Sequence, residues 1–214
     1  MNQEQLHANP YYNSGMQTEY SHSNRLVGMG WIAGIYTLLG FGWGLVTISA
    51  LTPTHRSLVL VGISVSGLLL MANVVEVIQI GRKNREQAGR EDRGISRWLM
   101  ILVVDLLLTG MIALVLSLLG LIEWIVVVAA LVFGAHFFFI HRSAALWVDT
   151  MAGVLMCFTA LLTMVFLSQD PQRRTLISGT SGLIACWWVA AWRVCSVKKV
   201  TIDQTGGIND ATSG

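Results

Sequence analysis

Six stretches of apolar sequence, at 26–50, 58–80, 98–119, 124–140, 144–168 and 175–194, constrain this chain more than any other feature. A helix needs roughly 20 consecutive apolar residues to cross a hydrocarbon layer of about 30 Å. Five of the six stretches meet that length, and the fourth falls just short of it and follows almost directly on the third. Lipid supplies no water to satisfy peptide groups, so a segment crossing it must close its hydrogen bonds internally. Long unbroken apolar runs do this as helices. Only 12% of the residues are charged, about half the share usual in soluble domains. The expected fold is all-α: a polytopic transmembrane bundle of six helices.

The loops give the orientation. Arg25, the connection 81–97 (Arg82, Lys83, Arg85, Arg90, Arg93 and Arg97), Arg142, Arg193, Lys198 and Lys199 fall on one side of the alternating spans. Only Arg56, Arg173 and Arg174 fall on the other. Lys and Arg are retained in the cytoplasm, so the eleven-to-three split predicts that both termini are cytoplasmic. An even number of spans agrees with that. The cations on the inner side also meet the anionic lipid of the cytoplasmic leaflet. The lipid bilayer is thus the first expected partner.

The expected domains are a polar mobile tail at 1–25, the six-helix domain at 26–196 and a second polar mobile tail at 197–214. The first 25 residues carry no cationic start leading into a short apolar region, so the first span is expected to act as the uncleaved insertion signal. No internal repeat suggests an inverted-repeat transporter. Basic residues with interleaved aromatics and a reader domain are missing, which argues against nucleic acid. Cys157, Cys186 and Cys195 form no Cys-x-x-Cys pair and lie outside the external loops. They are expected as free thiols rather than disulfides or zinc ligands, and neither metal nor cofactor is expected.

Small residues at i, i+4 recur: Gly30 and Gly34, Gly40 and Gly44, Ala130 and Gly134, Ser178 and Gly182, Ser181 and Ala185. This spacing lets helices approach closely in lipid. Packing within the chain is the first reading, and homo-oligomerisation through the same faces is the second. Trp98, Trp124, Trp147 and Trp192 suit the aromatic belts at the two interfaces. Trp187 and Trp188 lie deeper and are expected to pack.

Ionisable groups inside apolar spans are costly and often mark solute or proton pathways. Five polar residues stand out: Asn73 and Glu76 in the second span, Asp105 in the third, His136 in the fourth and Asp149 in the fifth. At a rise of 1.5 Å per residue, Glu76 and His136 lie roughly 6 Å from the inner boundary, Asp149 roughly 7–8 Å and Asp105 roughly 10 Å. All sit in the cytoplasmic leaflet, while Glu123 alone marks the outer boundary. Asn73 and Glu76 share a helix face with Ser66. Asp149 shares one with Ala145, Ala152, Gly153, Ala160 and Thr163. Converging faces would line a cytoplasm-facing polar site. The plainer alternative is that these groups reach headgroups or pair with Arg97, Arg142 or Arg193.

The segment Gly134-Ala135-His136-Phe137, set between apolar spans, resembles small uncharacterised bacterial six-helix inner-membrane proteins that carry Gly-x-His-Phe near the inner end of a late helix. Gly134, His136 and Phe137 match, whereas Phe139 and His141 stand where those proteins usually have Pro and Ala. The resemblance covers 103–164 and implies a multi-pass protein of the bacterial cytoplasmic membrane, without an activity. Two functions follow from the residues: a small-solute or proton-coupled transport-related protein using the five polar residues, or a non-enzymatic membrane scaffold, accessory or stress-related protein. No nucleophile–base set or metal-ligand spacing speaks for an enzyme.

Overall fold

The computed structural model describes the backbone of residues 10–86, 94–144 and 147–211. Side-chain surroundings are described for 28–80, 82, 100, 103–104, 106–138 and 147–199. The described chain is helical throughout, without a strand: α1 Pro10–Ser49, α2 Pro53–Glu86, α3 Gly94–Leu118, a short 3-10 turn at Ile122–Trp124, α4 Ile125–Ala144, α5 Trp147–Phe166 and α6 Pro171–Ala211. Four stretches are long and apolar enough to cross a membrane: Gly28–Ser49, Pro53–Ile80, Trp147–Phe166 and Pro171–Lys199. The described apolar parts of α3 and α4, Leu106–Leu118 and Ile122–Phe138, are shorter.

Local chemistry sets where the helices begin and end. All three prolines of the chain, Pro10, Pro53 and Pro171, stand at the first position of a helix. There a missing N–H costs nothing and the fixed φ is already helical. Asp170 caps α6 by accepting the Arg173 amide at 3.0 Å. Arg56 closes the corner between α1 and α2, donating from Nε to the Leu51 carbonyl at 2.8 Å and from Nη2 to that of Ser49 at 3.2 Å. Gln172 ties the same corner to α6 through the Ala50 carbonyl at 2.8 Å. Gly120, at φ 73°, ends α3. The Gly120 amide bonds to Ser117 and the Leu121 amide to Leu116. This left-handed cap satisfies the last carbonyls and turns the chain into α4.

The helix pairs α1/α2, α1/α6, α4/α5 and α5/α6 run antiparallel. Along α1, Gly30 meets Val77 and Ile78, Gly34 meets Val74 and Gly44 meets Ile63, so α2 descends as α1 rises. α6 descends against the other side of α1, with Thr47 at Gly179, Trp43 at Gly182 and Gly40 at Trp187. The last two contacts are reciprocal: each helix lays an indole on a glycine of the other. A β-carbon at Gly40 or Gly182 would overlap the facing indole ring. Trp187 also donates from Nε1 to the Thr37 carbonyl at 3.2 Å. On α5, Gly153 faces Phe137 and Cys157 faces Gly134 of α4, while Thr163 meets Ser178 of α6. The core sits among α1, α4, α5 and α6. α2 backs onto α1, and α3 packs on α4 and the 3-10 turn.

The small-residue pairs described above face neighbouring helices of this chain rather than open space. Trp147 meets Trp188 and Trp192 edge-on, with ring centroids 6.2 and 5.2 Å apart. Cys157, Cys186 and Cys195 are free. Among the described residues α1 extends from Pro10 and α6 to Ala211, so the described parts of both polar ends are helical.

Candidate functional site

Asp149 stands in the first turn of α5, where the free N–H groups of the helix favour a negative charge. It is fully buried. Arg193 of α6 reaches it with one nitrogen, Nη2, which lies 2.7 Å from Oδ2 and 3.0 Å from Oδ1. The arginine side chain is 2% exposed and the carboxylate 0%. Two full charges are therefore enclosed by protein and neutralise each other. Arg193 Nε has no hydrogen-bond partner among the described residues. Tyr36 of α1 lies near the pair on a third helix. It is buried, lies in the field of both charges and stacks on Phe137 of α4 with ring centroids 5.3 Å apart.

A second cluster lies nearer the end of the membrane stretch. Lys198 Nζ donates to Asn73 Oδ1 at 2.8 Å and to Glu76 Oε2 at 2.7 Å. Glu76 is 56% exposed and Lys198 32%, so this cluster is open where the Asp149–Arg193 pair is closed. It joins α2 to α6, which otherwise touch little because α1 lies between them.

The structure thus brings Asn73 and Glu76 together, as their three-residue spacing requires, but through a cation on α6. It gives Asp149 a separate partner on the same helix. His136 is buried next to Phe137, and their rings meet edge-on at 6.2 Å. The side chain of Asp105 lies outside the described residues. Ser66, the outer member of the Asn73 face, is exposed.

Sequence reasoning missed a third charged group. Arg174, counted there as an external-loop cation, is fully buried. Its guanidinium lies 3.8 Å over the Trp124 ring, and Nη2 is 3.2 Å from Glu123 Oε2. None of Nε, Nη1 and Nη2 has a hydrogen-bond partner among the described residues, so the contact with Glu123 is an ion pair only. The visible signal was the Glu123-Trp124 pair, an acid beside an indole at the turn facing the start of α6. Arg174 and Arg193 are nineteen residues apart, or roughly 28 Å along a straight helix, close to the thickness of the hydrocarbon layer. α6 therefore carries one enclosed guanidinium near each end of its apolar stretch. Among the described residues no group of three or more His, Cys, Asp or Glu could hold a metal ion. No protein-family model, curated protein or solved structure matches the chain.

Proposed function

We propose that this chain is a six-span, multi-pass protein of the bacterial cytoplasmic membrane with both termini in the cytoplasm, and that it moves a small solute, coupled to protons, through a site at Asp149 and Arg193. The antiparallel order of the helices and the sidedness of Lys and Arg support the topology. The enclosed Asp149–Arg193 pair carries the transport reading. Removing two ions from water costs several kcal/mol each, and apolar residues of similar volume often stabilise a fold as well or better. A pair kept at that cost inside a membrane span is weak support for stability alone and is by default a functional site. In the proposed topology the first turn of α5, which holds Asp149, lies at the cytoplasmic mouth. The Glu76–Asn73–Lys198 cluster lies at the same end and is partly open to water.

A second reading has its own observation. The pairs Lys198–Glu76, Arg193–Asp149 and Arg174–Glu123 tie α2, α5 and the 3-10 turn to α6. That is how a non-enzymatic scaffold or accessory protein would fix its bundle. Solute flux into proteoliposomes holding the full chain separates the two. The transport reading expects flux that is lost in Asp149→Leu/Arg193→Met while the double variant stays folded. Flux equal to that of empty liposomes leaves the scaffold reading.

A further inference from the structure

Arg174 holds a full charge where the protein supplies no acceptor for its protons. Its side chain is 0% exposed. The Trp124 ring lies 3.8 Å from the centre of the guanidinium. Such a contact attracts the cation to the ring face, but an indole offers no lone pair to an N–H. Glu123 Oε2 lies 3.2 Å from Nη2, yet Nε, Nη1 and Nη2 all lack a hydrogen-bond acceptor among the described residues. A guanidinium presents its N–H donors in a rigid fork, and leaving them unmet away from water is costly. The charge is balanced while the fork stands vacant.

The balancing carboxylate is held far less firmly than the arginine. Glu123 is 48% exposed and sits on the 3-10 turn Ile122–Trp124, none of whose residues is buried. The residue before the turn, Leu121, makes no side-chain capping bond. Glu123 can therefore rotate into water with little change in its hydration, and the enclosed Arg174 cannot follow it. Rotation opens the fork to solvent and vacates a space the size of one carboxyl group. We propose that Arg174 and Trp124 form a binding site for a small oxyanion, and that Glu123 is its tethered stand-in, displaced as the anion enters. Two oxygens on one atom meet the fork through two parallel hydrogen bonds, which Glu123 does not make. A cation is repelled by Arg174, and a neutral solute brings no charge to replace the departing carboxylate. The ligand class is a free small carboxylate or the phosphate oxygens of a lipid headgroup. This site lies at the opposite end of the apolar stretch of α6 from Arg193, and it stands whether or not the chain moves a solute.

The test uses the full chain in dodecyl maltoside, a detergent without phosphate or carboxylate, with sodium acetate replacing sodium chloride at constant ionic strength. Binding is read by tryptophan fluorescence, with Trp124→Phe identifying the signal, and by the rise in melting temperature. The expected result is a saturable response to acetate in the wild type. Glu123→Gln should bind acetate at least about tenfold more tightly, because a tethered competitor at high effective concentration has been removed. Arg174→Lys keeps the charge but loses the fork and should bind at least about tenfold more weakly. Arg174→Gln should not bind; if it fails to fold, Arg174→Lys carries the comparison. A second arm adds phosphatidylglycerol to the micelles. A headgroup occupant abolishes the acetate response, and a free carboxylate leaves it unchanged.

A wild type that does not respond to acetate, whether or not Glu123→Gln responds, makes Glu123 a fixed structural partner and overturns the proposal. A response that survives Arg174→Gln or Arg174→Lys unchanged, or that is lost in Asp149→Leu/Arg193→Met, places the anion elsewhere and also overturns it. None of these readings uses flux, so loss of the transport reading leaves them standing.

Discussion

Replacing Asp149 with Leu removes one member of the enclosed pair and strands Arg193, whose side chain is 2% exposed. Breaking a buried ion pair from one side costs about 3–5 kcal/mol, because the remaining charge stays desolvated. Replacing both partners with apolar groups of similar volume is neutral or gains about 1–4 kcal/mol. Asp149→Leu should therefore lower stability by about 3–5 kcal/mol, while Asp149→Leu/Arg193→Met should be at least as stable as wild type. Arg193→Met alone should cost as much by the same rule, so the coupling between the two sites should reach about 6–10 kcal/mol, above the usual range for residues in direct contact. Equilibrium unfolding in mixed micelles can follow this by tryptophan fluorescence. Trp147 lies two residues before Asp149 and Trp192 directly precedes Arg193, and their rings are 5.2 Å apart. A single variant within about 0.5 kcal/mol of wild type, the usual effect of an ordinary surface change, would show that the pair is not enclosed as described. A double variant as unstable as the sum of the two singles would show that the side chains do not act on each other.

Three further expectations follow from other parts of the bundle. Gly40→Ala and Gly182→Ala each press a methyl group into a facing indole and should cost about 1–3 kcal/mol each, whereas Gly42→Ala, with nothing within 4 Å, should change stability by less than about 0.5 kcal/mol; thermal unfolding in detergent compares them. Lys198→Met breaks a partly exposed pair and should cost only about 0.2–1 kcal/mol, less at high salt, with a double-mutant cycle against Glu76→Gln as the check. A single cysteine introduced at Gly89, in a background free of native cysteines, should be closed to an impermeant thiol reagent in intact cells and open after permeabilisation; labelling from outside would reverse the topology.

The sequence made the helices legible because lipid permits so few alternatives. Long apolar runs had to be helical. The polar ends read as tails because they lack apolar periodicity, and in the structure α1 is described from Pro10 and α6 to Ala211. Extending an existing helix costs far less than starting one, and no proline interrupts either extension. Pro10 itself was the unread start signal. In the structure Asp149, Asn73 and Glu76 find their partners, Arg193 and Lys198, near one end of the apolar stretch of α6. What was missing was rotation and partner choice. Whether Arg193, Lys198 or Arg174 points into the bundle depends on how α6 turns against α1 and α5. That is set by the reciprocal Trp43–Gly182 and Trp187–Gly40 contacts, which join residues far apart in the chain. Arg174 shows the difficulty most clearly. A cation at a span boundary reads as a loop residue, but here an indole and a carboxylate enclose it.

Flux through the full chain in proteoliposomes tests the account most directly. The account predicts proton-coupled solute flux in the wild type that is lost in Asp149→Leu/Arg193→Met while the double variant stays folded, because the enclosed pair is the site. Flux equal to that of empty liposomes would contradict it.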